Sequence, residues 1–278
     1  MSQPNLPWGA LIRPLCILVS LMVGGSLISC SRGESVPPLA MNDALKADFE
    51  LVASERVYFG HQSVGGNIIN GVTSVLADHP EIPLQVFEST SLDSNSAPGL
   101  YHARIGQNGD PGSKTSAFES IVGRGGASVA ALKFCYVDVD GHSDPDSLFA
   151  AYQRNMSALR ARLPGLVIVH VTMPLTTTGE GRRDLLMAKL RGKATSYDLN
   201  LIRNRYNALL RQAYVGKEPV FDLARLESTH ADGSRSYFTR GADTVYTLAP
   251  ELTDDGGHLN TSARRAAAEA FLALLATL

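Results

Sequence analysis

Two short segments near opposite ends of the chain carry side chains suited to nucleophilic catalysis. Residues 60–66 (GHQSVGG) place Ser63 where a strand-like run gives way to a helical pattern. A hydroxyl there becomes nucleophilic beside a general base, and its own N–H at a helix start can stabilise an oxyanion. The simpler alternative is that Ser63 only caps the helix, as many serines at this position do.

The second segment, residues 254–260 (DDGGHLN), lies just before the last helical pattern of the chain. A carboxylate three residues before a histidine can accept the imidazole N–H, fix its tautomer and stabilise the imidazolium. The alternative is an ordinary turn in which aspartate and glycine are turn formers. Taken together, the two segments predict Ser63 as nucleophile, His258 as its base and Asp255 as the residue that orients His258.

Strand patterns alternate with helical patterns along the chain, and this alternation has to position both segments. The predicted strands are 56–59, 84–87, 131–137, 166–171 and 219–223. The predicted helices are 41–52, 64–76, 145–163, 199–214 and 261–278, and the glycine-rich stretches 106–112 and 123–126 are predicted loops. Such alternation favours an α/β fold, a three-layer α/β/α sandwich of flavodoxin-like type, with a central, mostly parallel sheet.

Composition excludes several classes of protein. Of 278 residues, 44% are hydrophobic and 19% are charged, which excludes a disordered chain and a protein with many membrane spans. The formal net charge is -2, and no basic stripe is present, so nucleic acid is not an expected partner. Oligomeric state does not follow from these values.

Residues 1–30 are predicted to be an export signal, because 11–29 form an almost charge-free run. The run ends in LISC, which resembles a bacterial lipobox and predicts lipidation of Cys30. An uncleaved anchor helix is the alternative. Residues 31–40 are predicted to be a tether and 41–278 the folded domain. The protein is expected in the cell envelope, where lipid would anchor it to the outer membrane or the periplasmic face. Secretion is the other expected location.

The chain resembles the SGNH hydrolases, also called GDSL-type esterases and lipases, over about residues 55–278. Gly60 and Ser63 match the family's first block, and Asp255 and His258 match its D-x-x-H motif. The resemblance implies a serine esterase of the same α/β/α fold. Its substrate would be a small-molecule or glycan ester, for example an acyl ester of an envelope glycan or lipid. The reaction would need no metal or organic cofactor.

Two further blocks of that family match unequally. Residues 108–115 (NGDPGSKT) resemble the second block, which implies that the Gly112 amide joins the Ser63 amide in the oxyanion hole. The third block normally reads G-x-N-D, whereas residues 135–138 read CYVD and lack the asparagine. A replacement donor is expected from Asn108, Gln62 or His61, and the last two are expected to line the pocket together with Asp138.

Two other functions remain open at this point. Loss of the asparagine donor suits weak activity, or a catalytically inactive SGNH-fold lipoprotein that binds a glycan or an envelope component. A metal-dependent hydrolase would use the aspartates between 138 and 146, but their spacing does not match the EF-hand pattern. We therefore expect no metal site.

Overall fold

The computed structural model describes residues 43–278. The export signal, the lipidation site Cys30 and the tether at 31–40 lie outside the described residues and stay predictions. Between residues 43 and 278, no helix is both long and apolar enough to cross a membrane.

Six parallel strands form the central sheet, in the order β2-β3-β1-β4-β5-β6. Their bounds are β1 Arg56–His61, β2 Val86–Glu88, β3 Gly99–Arg104, β4 Val129–Leu132, β5 Val167–Val171 and β6 Val220–Phe221. Without the short edge strand β2, this is the flavodoxin-like order, in which the chain starts inside the sheet and reverses direction beside β1. The carboxyl ends of β1 and β4 flank that reversal, where α/β sheets bind their ligands.

Helices cover both faces of the sheet because side chains alternate along each strand. Val57 and Phe59 of β1 point into one core and Tyr58 into the other. The helices of the first face are α1 Asp43–Ser54, α2 Val64–Asp78, α7 Leu223–Glu227 and α8 Thr261–Ala276. Those packed against the second are α3 Pro111–Val122, α4 Pro145–Arg162 and α6 Ser196–Tyr214. The predicted three-layer α/β/α sandwich is confirmed.

Several predicted boundaries are wrong, and each has a local cause. The strand predicted at 131–137 is β4 at Val129–Leu132, and its end is replaced by a 3-10 helix, Tyr136–Asp138. The strand predicted at 219–223 stops at Phe221, since Asp222 caps α7. The predicted loop 106–112 overlaps α3, which Asp110 caps and Pro111 begins.

Six helices and strands were not predicted at all. They are β3, α3, the short helices α5 Arg182–Leu190 and α7, and the strands β7 Tyr237–Arg240 and β8 Asp243–Tyr246, which form an antiparallel hairpin. The strand β3 reads GLYHAR, whose polar histidine and arginine conceal the apolar pattern of a strand. It nevertheless pairs with β1 along the whole of both strands.

Helices α2 and α8 pack unusually closely at Gly71. A Cβ atom built on Gly71 would lie 2.2 Å from the Arg264 carbonyl oxygen and 2.8 Å from the Ala268 Cβ. Only glycine permits this approach, because the obstacle is main chain of the facing helix. The helix α2 follows directly after Ser63, and α8 follows directly after the segment that carries His258, so this contact sets their spacing.

We predict that Gly71→Ala destabilises the fold by about 1–3 kcal/mol, although alanine favours helix, because the added methyl forces the two helices apart. Urea unfolding measures the effect. The control is Gly165→Ala, where an added Cβ meets nothing within 4 Å and stability should change by less than about 0.5 kcal/mol. Equal stability of the two variants would contradict this account of the contact.

Candidate active site

Ser63 lies at the carboxyl edge of the sheet, two residues after β1 ends at His61. Its backbone has φ 49°, and among the described residues no other non-glycine residue has a positive φ. A non-glycine residue in this region is strained, and such strain concentrates at functional sites. The turn projects the Ser63 side chain away from the sheet, toward the segment before α8.

The Ser63 hydroxyl makes no capping hydrogen bond to α2. Its Oγ instead lies 2.6 Å from His258 Nε2, across 195 residues of sequence. The helix-cap alternative for Ser63 is therefore wrong. A serine oxygen this close to an imidazole nitrogen can pass its proton to that nitrogen as it attacks.

Asp255 holds His258 through its side chain and its backbone. His258 Nδ1 lies 2.7 Å from one carboxylate oxygen of Asp255, and the other oxygen accepts from the His258 N–H at 2.7 Å and the Gly257 N–H at 2.9 Å. These hydrogen bonds hold the pKa of Asp255 well below its usual range, and the bond from the His258 N–H contributes most. An ionised carboxylate makes Nδ1 the protonated nitrogen and leaves the lone pair of Nε2 facing Ser63.

Asn67, which sequence reasoning did not single out, ties the histidine segment to α2. Its Oδ1 accepts a hydrogen bond from the Leu259 N–H at 3.0 Å, and its side chain is buried. Asn67 lies one helical turn after Ser63, and Leu259 follows His258. The bond therefore fixes the base relative to the nucleophile. A polar residue on the buried face of α2 was the only available signal.

Tyr136 is a second residue that the sequence did not single out. Its hydroxyl lies 3.5 Å from His258 Nε2, and its ring meets the imidazole edge-on. Burial raises the pKa of Tyr136, so the hydroxyl keeps its proton at neutral pH. A Cβ on Gly257 would lie 3.0 Å from Tyr136 Cζ, so glycine at 257 allows this contact.

Asn108, Ser63 and His258 line one cavity of about 330 Å³. Beneath it, the buried Lys114 Nζ donates to Asn108 Oδ1 at 3.0 Å and to both oxygens of Asp138, at 2.5 and 2.6 Å. Lysine can only donate, so the Asn108 oxygen must face it and the Asn108 NH₂ must face elsewhere. Asp138 is neutralised by Lys114, so it does not oppose an oxyanion as an isolated carboxylate would.

The other predicted pocket residues lie in different places. Gln62 lines the cavity, but its NH₂ donates to the Ile105 and Gly106 carbonyls, which occupies it as a donor. Gly112 lies in the first turn of α3 and is not among the residues that line the cavity. Asp138 is buried beside Lys114 and does not line it either.

The aspartate segment after Asp138 has local structural roles. Asp140 Oδ1 accepts from the His142 N–H and the Ser143 hydroxyl, and Asp144 caps α4. Among the side chains that the structure describes, no three or more histidine, cysteine or acidic residues cluster as metal ligands would. The described residues thus offer no support for the metal-dependent alternative.

Comparisons with known proteins identify the fold but find no sequence match. No family model and no curated protein matches the sequence. Among solved structures, a GDSL-like lipase from Bacteroides thetaiotaomicron superposes with a TM-score of 0.50 at 12% identity, covering 81% of this chain and 90% of that chain. The chain has the SGNH hydrolase fold. An acetyl xylan esterase overlaps more loosely, with a TM-score of 0.46 at 18% identity over 78% of this chain and 97% of that chain.

In this SGNH fold, His61 lies behind the nucleophile and not in the pocket. It is buried, and its Nε2 lies 3.2 Å from His102 Nδ1. Its Nδ1 has no hydrogen-bond partner among the described residues. Burial, aided by the positive charge of Lys133, lowers the pKa of His61 to about 3. The ring therefore packs as a neutral group beneath the first turn of α2.

We predict that His61→Gln, which cannot titrate, weakens the pH dependence of stability. Below pH 6.5 the unfolded chain protonates His61 while the folded chain does not until about pH 3. The wild type should thus lose up to about 1.4 kcal/mol per pH unit relative to the variant as pH falls from 6.5 toward 4. Parallel curves of unfolding free energy against pH for the two proteins would show that His61 titrates normally in the fold.

Proposed function

We propose that the protein is an exported serine ester hydrolase with Ser63 as nucleophile, His258 as general base and Asp255 as the residue that orients His258. The observation that carries this proposal is the continuous hydrogen-bonded line from Ser63 Oγ through both ring nitrogens of His258 to Asp255. Export follows from the signal predicted at residues 1–30. The SGNH fold adds a known architecture, and the activity itself is argued from the site.

The geometry supports acyl transfer in two steps. Ser63 Oγ attacks the ester carbonyl while its proton moves to His258 Nε2, and the ionised Asp255 stabilises the imidazolium. His258 then returns that proton to the departing alcohol as the C–O bond breaks, leaving an acyl-serine. A water molecule, deprotonated by the same nitrogen, attacks the acyl-serine. His258 then gives that proton to Ser63 Oγ as the bond to the acyl carbon breaks, which releases the carboxylic acid and restores Ser63.

Negative charge on the carbonyl oxygen requires donors beside Ser63. The Ser63 N–H lies at the start of α2, where amides lack a partner within the helix. We propose the Asn108 NH₂ as the second donor, because Lys114 turns the Asn108 oxygen away and Asn108 shares the cavity with Ser63. Val137, which takes the place of the family's asparagine in CYVD, is 42% exposed and has no polar side-chain atom.

Replacing the nucleophile tests the proposed function. Ser63→Ala should lower kcat on 4-nitrophenyl acetate by about three orders of magnitude or more, because the acyl-enzyme cannot form. Ser157→Ala on the exposed face of α4 is the matched control and should retain wild-type turnover. A folded wild type without activity would favour the catalytically inactive binding protein. An active Ser63→Ala variant would favour another mechanism.

The role of Asn108 makes a separate prediction. Asn108→Ala should lower kcat about a hundredfold to a thousandfold with little change in KM, because the lost donor acts on the transition state. Asn95→Ala, an exposed residue before β3 at the opposite edge of the sheet, serves as control. A loss of less than about threefold in Asn108→Ala would assign the second oxyanion donor to another group.

A further inference from the structure

The cavity beside Ser63 has an unusual lining for an ester site. No apolar side chain and no carboxylate belongs to that lining among the residues that the structure describes. Its members are Gln62, Ser63, Gly66, Asn67, Asn70, Arg104, Asn108 and His258. Binding sites for apolar ligands are lined mostly by hydrophobic and aromatic side chains. The cavity thus suits a small acyl group on a polar substrate better than a long fatty chain.

Arg104 supplies the one permanent positive charge in that lining. It is the last residue of β3 and pairs in register with His61, which brings it to the same sheet edge as Ser63. Its Nη2 would lie 4.0 Å from a Cβ on Gly66, so the guanidinium lies near the first turn of α2. That helix end adds partial positive charge of its own.

Arg104 is exposed at its place in the lining. Some exposed arginines of the molecule form ion pairs, such as Arg205 with Asp146 and Arg240 with Asp198. Arg104 forms none, since among the side chains that the structure describes no carboxylate lies within ion-pair distance of it. Its side chain also donates no hydrogen bond to a described residue, so its N–H donors are available to a ligand in the cavity.

Two amides of the cavity also have their oxygens occupied on the protein side. Asn67 Oδ1 accepts from the Leu259 N–H, and Asn108 Oδ1 accepts from Lys114. Both partners can only donate, so each amide has its NH₂ left for other contacts. Together with Arg104 and the first turn of α2, the cavity is rich in donors and positive charge.

We propose that Arg104 binds an anionic oxygen group, a carboxylate or a phosphate, next to the ester bond of the substrate. The inference rests on the proposed ester hydrolysis at Ser63 and names the class of substrate: small acyl esters of an anionic molecule. A guanidinium fits either group with two parallel hydrogen bonds. Arg104 contacts the non-reacting part of the substrate, so it acts on specificity through binding.

Two matched pairs of acetyl esters test the proposal and separate carboxylate from phosphate. The first pair is 4-acetoxybenzoate and its methyl ester, and the second is 4-acetoxyphenyl phosphate and 4-acetoxyanisole. For each pair, acetate release gives the ratio of kcat/KM for the charged ester to that for the neutral ester. Comparing this ratio between protein variants cancels the intrinsic reactivity of each ester.

Arg104→Gln should lower the ratio about tenfold for at least one pair, mainly through a higher KM for the charged ester. Arg104→Lys should restore part of it, because lysine keeps the charge without the planar fork. Arg154→Gln on α4 removes the same charge from an exposed site and should leave the ratio at its wild-type value.

Ratios that are equal in wild type and Arg104→Gln for both pairs would overturn the proposal. So would an equal fall in Arg154→Gln, because the effect would then come from net charge and not from the cavity. In either case, Ser63-dependent turnover of the neutral esters would leave the proposed function intact. A wild type that hydrolyses none of the four esters would instead remove the proposed function on which this inference rests.

Discussion

The approach of α2 to the start of α8 is the constraint on which the site depends. Ser63 and His258 are 195 residues apart in sequence, and no local structure can bring them together. The Asn67 bond to the Leu259 N–H and the close contact at Gly71 join the segments that carry them. The first contact is a hydrogen bond, and the second is close packing of α2 against the main chain of α8. Together they fix the position of His258 relative to Ser63.

A buried charge pair supports the other side of the site. Lys114 and Asp138 are both inaccessible to solvent and neutralise each other, and the same ammonium group orients Asn108. Separating a buried ion pair costs folding free energy, so Lys114 stays beside Asp138 and holds the Asn108 amide in this orientation. Under the proposed function, Asp138 thus helps to orient Asn108 as the oxyanion donor, in place of the asparagine that residues 135–138 lack.

The fold class followed from alternating strand and helix patterns, because parallel strands buried on both faces leave strong apolar runs such as that of β5. The nucleophile and its base were predicted from two short motifs. The strand β3 was not predicted because its buried position 102 carries histidine and its last position carries Arg104, so its sequence lacks a continuous apolar run. The roles of Asn67, Tyr136 and Lys114 depend on neighbours that are distant in sequence, and Gly112 and His61 were assigned to the site by motif position although neither lines the cavity.

The central claim is that Ser63 is the nucleophile of the protein and that His258 activates it. Intact-mass analysis after treatment with a fluorophosphonate, followed by peptide mapping, tests it most directly. The account predicts one adduct per chain, located on Ser63, absent from Ser63→Ala and strongly slowed in His258→Ala. A folded wild type that takes up no label, or that is labelled at another residue, would contradict it.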